Sequence, residues 1–207
     1  QLQHRFENII DDLREIHFKR ADQQSKLNNI IAKLSELKEE TAMTDVILEY
    51  EGTLDKYVGD EIMCFWGAPL PQPDHALRAC QCALRQLEIL EQLNAEWPPE
   101  KRIEVGIGVN SGVMTVGNMG SSGRMNYTLT GDNVNLAARL EGTNKLYGTH
   151  VIISEYTYGL VQDHVLAREI DNIRVKGKNR PVLIYELVDI LDKNEQEKIR
   201  QQSSQHL

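Results

Sequence analysis

Leu54-Asp55-Lys56-Tyr57-Val58-Gly59-Asp60-Glu61-Ile62-Met63-Cys64-Phe65-Trp66 reads as two short strands around a tight turn. Leu54–Val58 and Glu61–Trp66 are the strands, and Gly59-Asp60 between them is a two-residue hairpin signal. Lys56 and Asp60 stand four residues apart across the turn, so they need not serve one ligand. A carboxylate at a hairpin tip is held where a cation reaches it, and Mg²⁺ takes one or two carboxylates together with phosphate oxygens. Gly-Asp is also a good turn dipeptide, so on spacing alone Asp60 is either a metal ligand or a turn former.

Outward from the hairpin the pattern alternates. Upstream, Ala42–Tyr50 reads as the end of a helix that Glu51-Gly52 breaks. Downstream, Gly67–Pro73 is a Pro-rich loop, and Asp74 is placed to N-cap a helix that Pro98-Pro99 stops near Trp97. Ile103–Val109 and Val113–Val116 are predicted as a second strand pair turning at Asn110-Ser111-Gly112. Tyr127–Leu129 is a short strand, and a helix from about Asp132 to Tyr147 ends at Gly148. His150–Ile153, Ile170–Val175 and Pro181–Val188 add strands. Hairpins mixed with crossover helices make the fold class α+β.

Two further segments carry candidate chemistry. Asn135 and Arg139 are i and i+4 and share a helix face, while Leu136 and Leu140 on the neighbouring stripe face the core. An Arg and an amide on one rigid helix hold a phosphoryl group and its developing charge; the plain alternative is a solvated polar face. Ile173-Arg174-Val175-Lys176-Gly177-Lys178-Asn179-Arg180 is a basic strand end, which either grips a polyphosphate by point charges or is a Gly-centred turn with solvated cations. Gly106-Ile107-Gly108 lacks the third glycine of a dinucleotide fingerprint and lies within a strand pattern, so it is discounted.

Composition excludes other classes. The chain has 207 residues, with 23 Lys+Arg against 31 Asp+Glu and a net charge of −8. That charge argues against phosphate-backbone binding, so no nucleic-acid partner is expected. The longest apolar stretch, Ile62–Ala68, is far short of the roughly 18 residues of a membrane span. Cys64, Cys80 and Cys82 are odd in number, and the last two are badly spaced for a disulfide within a helical pattern. Buried thiols in a reducing, cytoplasmic setting are the expectation.

Residues 1–40 hold no Gly or Pro and carry a seam of alternating steps of four and three: Leu2, Phe6, Ile9, Leu13, Ile16, Arg20, Gln23, Leu27, Ile30, Leu34 and Leu37. A sustained 3.5-residue repeat, with Ile mainly at one set of positions and Leu mainly at the other, predicts a parallel coiled-coil dimer; a single helix packed on its own domain is the alternative. Residues 41–188 form the predicted body, and 189–207 a polar C-terminal tail. The first residue is Gln, and an upstream sensor or membrane domain, outside this chain, fits such a helix.

Taken in order, Gly52 through Asp60, Gly106 through Gly112, Tyr127 through Glu141 and Val175-Lys176-Gly177-Lys178 resemble the class III nucleotidyl cyclase catalytic domain over about residues 41–188. The resemblance implies a ferredoxin-like domain with a central, mostly antiparallel sheet, working as a homodimer with composite sites at the interface. It implies two Mg²⁺ or Mn²⁺ ions per site, with attack of the ribose 3′-hydroxyl of ATP on the α-phosphate and release of pyrophosphate. By position, Asp60 resembles a metal aspartate. From the other subunit, Lys56 and Thr128 resemble the base-reading pair, Asn135 the ribose-orienting residue, Arg139 the group that stabilises charge on the α-phosphate, and Lys176 the holder of the terminal phosphates. Lys56 is a donor suited to adenine N1, and Thr128 accepts from the exocyclic amine, which favours adenylyl over guanylyl chemistry. The family's first strand, with its own metal aspartate, falls where this chain carries the heptad helix. A catalytically impaired pseudo-cyclase acting as a dimeric nucleotide-binding or signalling module is therefore the second reading.

Overall fold

In the computed structural model the elements run, in chain order, α1 (37–49), β1 (Thr53–Val58), β2 (Glu61–Phe65), α2 (His75–Glu96), a 3₁₀ turn (Pro99–Lys101), β3 (Ile107–Val109), β4 (Thr115–Ser121), β5 (Arg124–Thr130), α3 (Asp132–Tyr147), β6 (Val151–Ser154), α4 (Glu155–Val161), β7 (Val165–Ile173) and β8 (Val182–Ile190). The structure describes residues 22–26, 28, 37–121, 123–174, 180–192 and 195–196. The chain divides into two compact units, Gln1–Ala42 and Met43–Leu207.

In the first unit the described residues are helical, and Lys26 pairs with Asp22 one turn away at 2.7 Å. Of the heptad seam, Gln23 and Leu37 fall among the described residues, so the expected coiled-coil pairing lies outside them. So do Lys176 and most of the polar tail. No helix among the described residues is long and apolar enough to cross a membrane.

The second unit is built around β6. Val151, Ile152, Ile153 and Ser154 are all buried, as expected of a strand covered on both faces. Strand alternation sends Val151 and Ile153 to one side, where they pack with Ala76, Cys80 and Ala83 of α2, Val161 of α4 and Leu187 of β8. Ile152 points to the other side, against Leu136 and Leu140 of α3 and Val182 and Ile184 of β8. Strand order in this four-stranded sheet is β3-β6-β8-β7, helices cover both faces, and only the β3–β6 pair is parallel. Two further antiparallel pairs, β1–β2 and β4–β5, form separate two-stranded sheets. The β1–β2 hairpin packs through Leu54, Ile62, Cys64 and Trp66 onto Val46 and Ile47 of α1 and Cys82 of α2.

Several expectations hold closely. The hairpin turns at Gly59-Asp60 with Val58 opposite Glu61. Helix α3 starts at Asp132 and ends where Gly148 adopts the left-handed conformation that glycine accepts without strain. Leu136 and Leu140 are fully buried, and Asn135 and Arg139 are exposed.

Three expectations need correction. Residues 103–109 and 113–116 do not form a hairpin; β3 is confined to Ile107–Val109 and pairs in parallel with β6, and Thr115–Ser121 pairs with Arg124–Thr130. The Asn110-Ser111-Gly112 turn is held by long-range bonds instead. The Asn110 amide donates to the Asn133 carbonyl at 2.9 Å and accepts from the Ser154 hydroxyl at 2.6 Å. Asp74 occupies the N-cap position of α2 but makes no side-chain cap bond, because its carboxylate pairs with Arg78 at 2.8 Å. Helix α4 was not expected; Ser154 caps it by accepting from the Thr157 amide.

Candidate active site

The base-reading candidates come together. Lys56 lies on β1 and Thr128 on β5, 72 residues apart in sequence, and the Lys56 ammonium donates to the Thr128 hydroxyl at 2.9 Å. Thr128 is buried, whereas the Lys56 side chain is 41% exposed and keeps an open end. A residue that the sequence reading passed over completes the group: the Thr128 hydroxyl donates to Asp55 Oδ2 at 2.7 Å. The Asp55 side chain is 0% exposed, and its other oxygen faces the Lys56 ammonium at 3.6 Å. A strand's period of two would send Asp55 and Lys56 to opposite faces. The register shows why it does not: Leu54 pairs with Cys64 and Lys56 with Met63, so Asp55 is the extra residue of a β-bulge. Bulges re-aim side chains in this way.

The phosphate-handling candidates sit on the outer face of α3. Asn135 and Arg139 are one turn apart and exposed, and the hidden face beneath them is fixed by packing. Buried Asn144 donates to the carbonyls of Ile107, Leu140 and Glu141 at 3.1, 3.2 and 2.9 Å and accepts from the Thr149 hydroxyl at 3.0 Å. A Cβ on Gly108 would run into the α3 backbone at Ala137 and Glu141, so this glycine lets β3 approach the helix. That is the structural reason for the glycines of Gly106-Ile107-Gly108. At the N-terminal end, the Asn133 amide donates to the Val113 carbonyl at 3.0 Å.

Asp60 sits at the exposed hairpin tip beside Glu61. Both acids reach α3 electrostatically: desolvation first, then the charges of Glu61 and Asp60, hold the Glu141 carboxyl above its ordinary range. A local excess of negative charge is what a divalent cation relieves. Among the described residues, however, no group of three or more His, Cys, Asp or Glu gathers as a metal site. Asp60, a carboxylate at an exposed tip, is of the donor type that a hard divalent cation takes. Burial pushes the Cys64 and Cys80 thiols up to about 12 and raises Cys82 as well.

The chain matches the family described as adenylate and guanylate cyclase catalytic domain over residues 13–189. It is 37% identical over 166 residues to adenylate cyclase 1 of Rhizobium meliloti, covering 78% of this chain and 24% of that protein. It is 34% identical over 154 residues to the adenylate cyclase of Anabaena cylindrica, covering 70% of this chain and 30% of that protein. The chain thus spans less than a third of the length of either relative. Among solved structures, the adenylyl cyclase CyaB from P. aeruginosa superposes with a TM-score of 0.69 at 36% identity, covering 76% of this chain and 82% of that one. With hairpin, glycine-cradled helix and Lys–Thr pair in place, the chain belongs to the family of adenylate and guanylate cyclase catalytic domains.

Proposed function

We propose that this domain is an adenylyl cyclase, converting ATP to 3′,5′-cyclic AMP and pyrophosphate at the interface of a homodimer. The observation that carries the reading is the contact between Lys56 and Thr128. Lys56 presents a donor to adenine N1, and Thr128 presents an acceptor to the exocyclic amine. The names of the relatives from Rhizobium meliloti and Anabaena cylindrica support the same substrate.

In the reaction the ribose 3′-hydroxyl gives up its proton to solvent, its oxygen bonds to the α-phosphorus, and the bond from that phosphorus to the oxygen bridging to the β-phosphate breaks, releasing pyrophosphate. Asn135 orients the ribose, and Arg139 stabilises the charge that builds on the α-phosphate in the transition state. Lys176 holds the terminal phosphates. Asp60 is the carboxylate that would hold Mg²⁺ or Mn²⁺, which when bound lowers the pKa of a coordinated hydroxyl and screens phosphate charge.

A second reading is a nucleotide-binding or signalling module without turnover; its motive is in the sequence, where the heptad pattern of residues 1–40 occupies the place of the family's first strand and its metal aspartate. Incubation with ATP and Mn²⁺ separates the two. Cyclic AMP is expected, and Lys56→Glu is expected to cut ATP turnover about tenfold or more. ATP binding without any cyclic AMP favours the second reading, and ATP kinetics unchanged by Lys56→Glu removes the base-reading role.

A further inference from the structure

We propose that Asp55 is a positioning residue for base selection, fixing the Thr128 hydroxyl as an acceptor toward the nucleotide base. The inference rests on the adenylyl reading of the Lys56–Thr128 pair and deepens it.

The argument is a count of hydrogen-bonding capacity. A threonine hydroxyl has one proton to donate and two lone pairs. At Thr128 the proton goes to Asp55 Oδ2 at 2.7 Å, and one lone pair takes the Lys56 ammonium at 2.9 Å. One lone pair is left, so toward a ligand Thr128 is an acceptor only. Lys56 has three protons. One goes to Thr128, and one side of the ammonium faces Asp55 Oδ1 at 3.6 Å, which leaves a donor on its exposed side. The remaining pair, one donor and one acceptor in fixed order, matches adenine: ring N1 accepts, and the 6-amino group donates. Guanine reverses both groups, with a protonated N1 and a carbonyl at position 6. A freely rotating hydroxyl would turn its proton toward that carbonyl and blur the choice. Asp55 prevents the rotation from a position that no ligand reaches, since its side chain is fully buried and the bulge aims it at Thr128. Asp55 Oδ1 has no hydrogen-bond partner among the described residues, and the neighbouring ammonium offsets the cost of burying it.

Asp55→Asn tests this with almost no change in shape. The amide oxygen is drawn to the Lys56 ammonium, so the NH₂ turns to Thr128 and donates to its oxygen. The hydroxyl proton is then released toward the base. Equilibrium binding of 3′-deoxy-ATP and 3′-deoxy-GTP, which lack the attacking hydroxyl, reads the preference without turnover. The wild type is expected to prefer the adenine analogue, and Asp55→Asn is expected to lower that preference about tenfold, partly by gaining affinity for the guanine analogue. In a Thr128→Val background the same substitution is expected to leave the preference unchanged, because Asp55 acts through the hydroxyl. A merely structural role would instead weaken both analogues alike. A preference that survives Asp55→Asn, or falls equally with and without Thr128, overturns the inference and leaves the adenylyl reading standing. A wild type with no preference for the adenine analogue overturns both.

Discussion

The two ends of the candidate site are built on opposite principles. The base end is held by hydrogen bonds among its own side chains: Lys56, Thr128 and Asp55 are in contact with one another, and two of the three are buried. The phosphate end, Asn135 and Arg139, stands on an exposed helix face and is positioned from below, by Leu136, Leu140, Asn144 and the close approach of Gly108. Selectivity between bases turns on where single protons point, so it needs a network that is set before the ligand arrives. Handling a triphosphate turns on charge, which acts over longer distances and needs only a rigid platform. The difference teaches that damage to the two ends has different signatures: substrate choice at one, rate or stability at the other.

The sharpest test of that division is Arg139→Ala. If Arg139 meets charge that appears only in the transition state, kcat falls about 10²–10³-fold, with little change in ATP binding. A variant with normal kcat and weaker ATP binding would place Arg139 in ground-state binding and dissolve the distinction. Gly108→Ala probes the platform rather than the charge. Its Cβ would fall on the α3 backbone, so a loss of about 1–3 kcal/mol is expected in urea unfolding, with activity falling as α3 is displaced. Unchanged stability would mean that α3 yields easily and that packing does not hold Asn135 and Arg139 in place.

The same division explains what was legible in the sequence. Local signals carried the β1–β2 hairpin, the extent of α3 and the sorting of Asn135 and Arg139 from Leu136 and Leu140, because each is decided within a few residues by turn chemistry or helical period. The β3–β6 pairing was not legible, since Ile107 meets Val151 through a parallel ladder that has no turn of its own. Asn110-Ser111-Gly112 imitates a hairpin turn, although its Asn side chain is committed to Asn133 and Ser154. Asp55 was hidden for a related reason. Strand alternation places it opposite Lys56, and only the register shift against β2 brings both side chains to Thr128. The Ser154 cap before α4 was present in the sequence, but Tyr156, Thr157 and Val161 favour strand, and Gly159 weakens a helix.

The smallest effect expected is at Glu141 on α3, which the charges of the hairpin tip reach. Desolvation and the charges of Glu61 and Asp60 raise the Glu141 carboxyl above its ordinary value of 4.5. For an acid shifted in this direction, ionisation is harder in the folded state than in the unfolded chain. Well below 4.5 both states are protonated and nothing is lost. As pH rises through the ordinary value toward the raised one, the unfolded state loses its proton first and stability declines; above the raised value the penalty is constant. Glu141→Gln removes the ionisation, so it should stabilise the protein near neutral pH by roughly 0.5 kcal/mol or less after solvent screening. The gain should fade as the medium is acidified, which urea unfolding of both proteins across that range would measure. Mn²⁺ supplies the independent arm. A cation at Asp60 relieves the same field, so it should stabilise the wild type more than Glu141→Gln. A pH-independent gain would assign the effect to packing, and equal Mn²⁺ responses would separate Glu141 from the metal-binding end of the site.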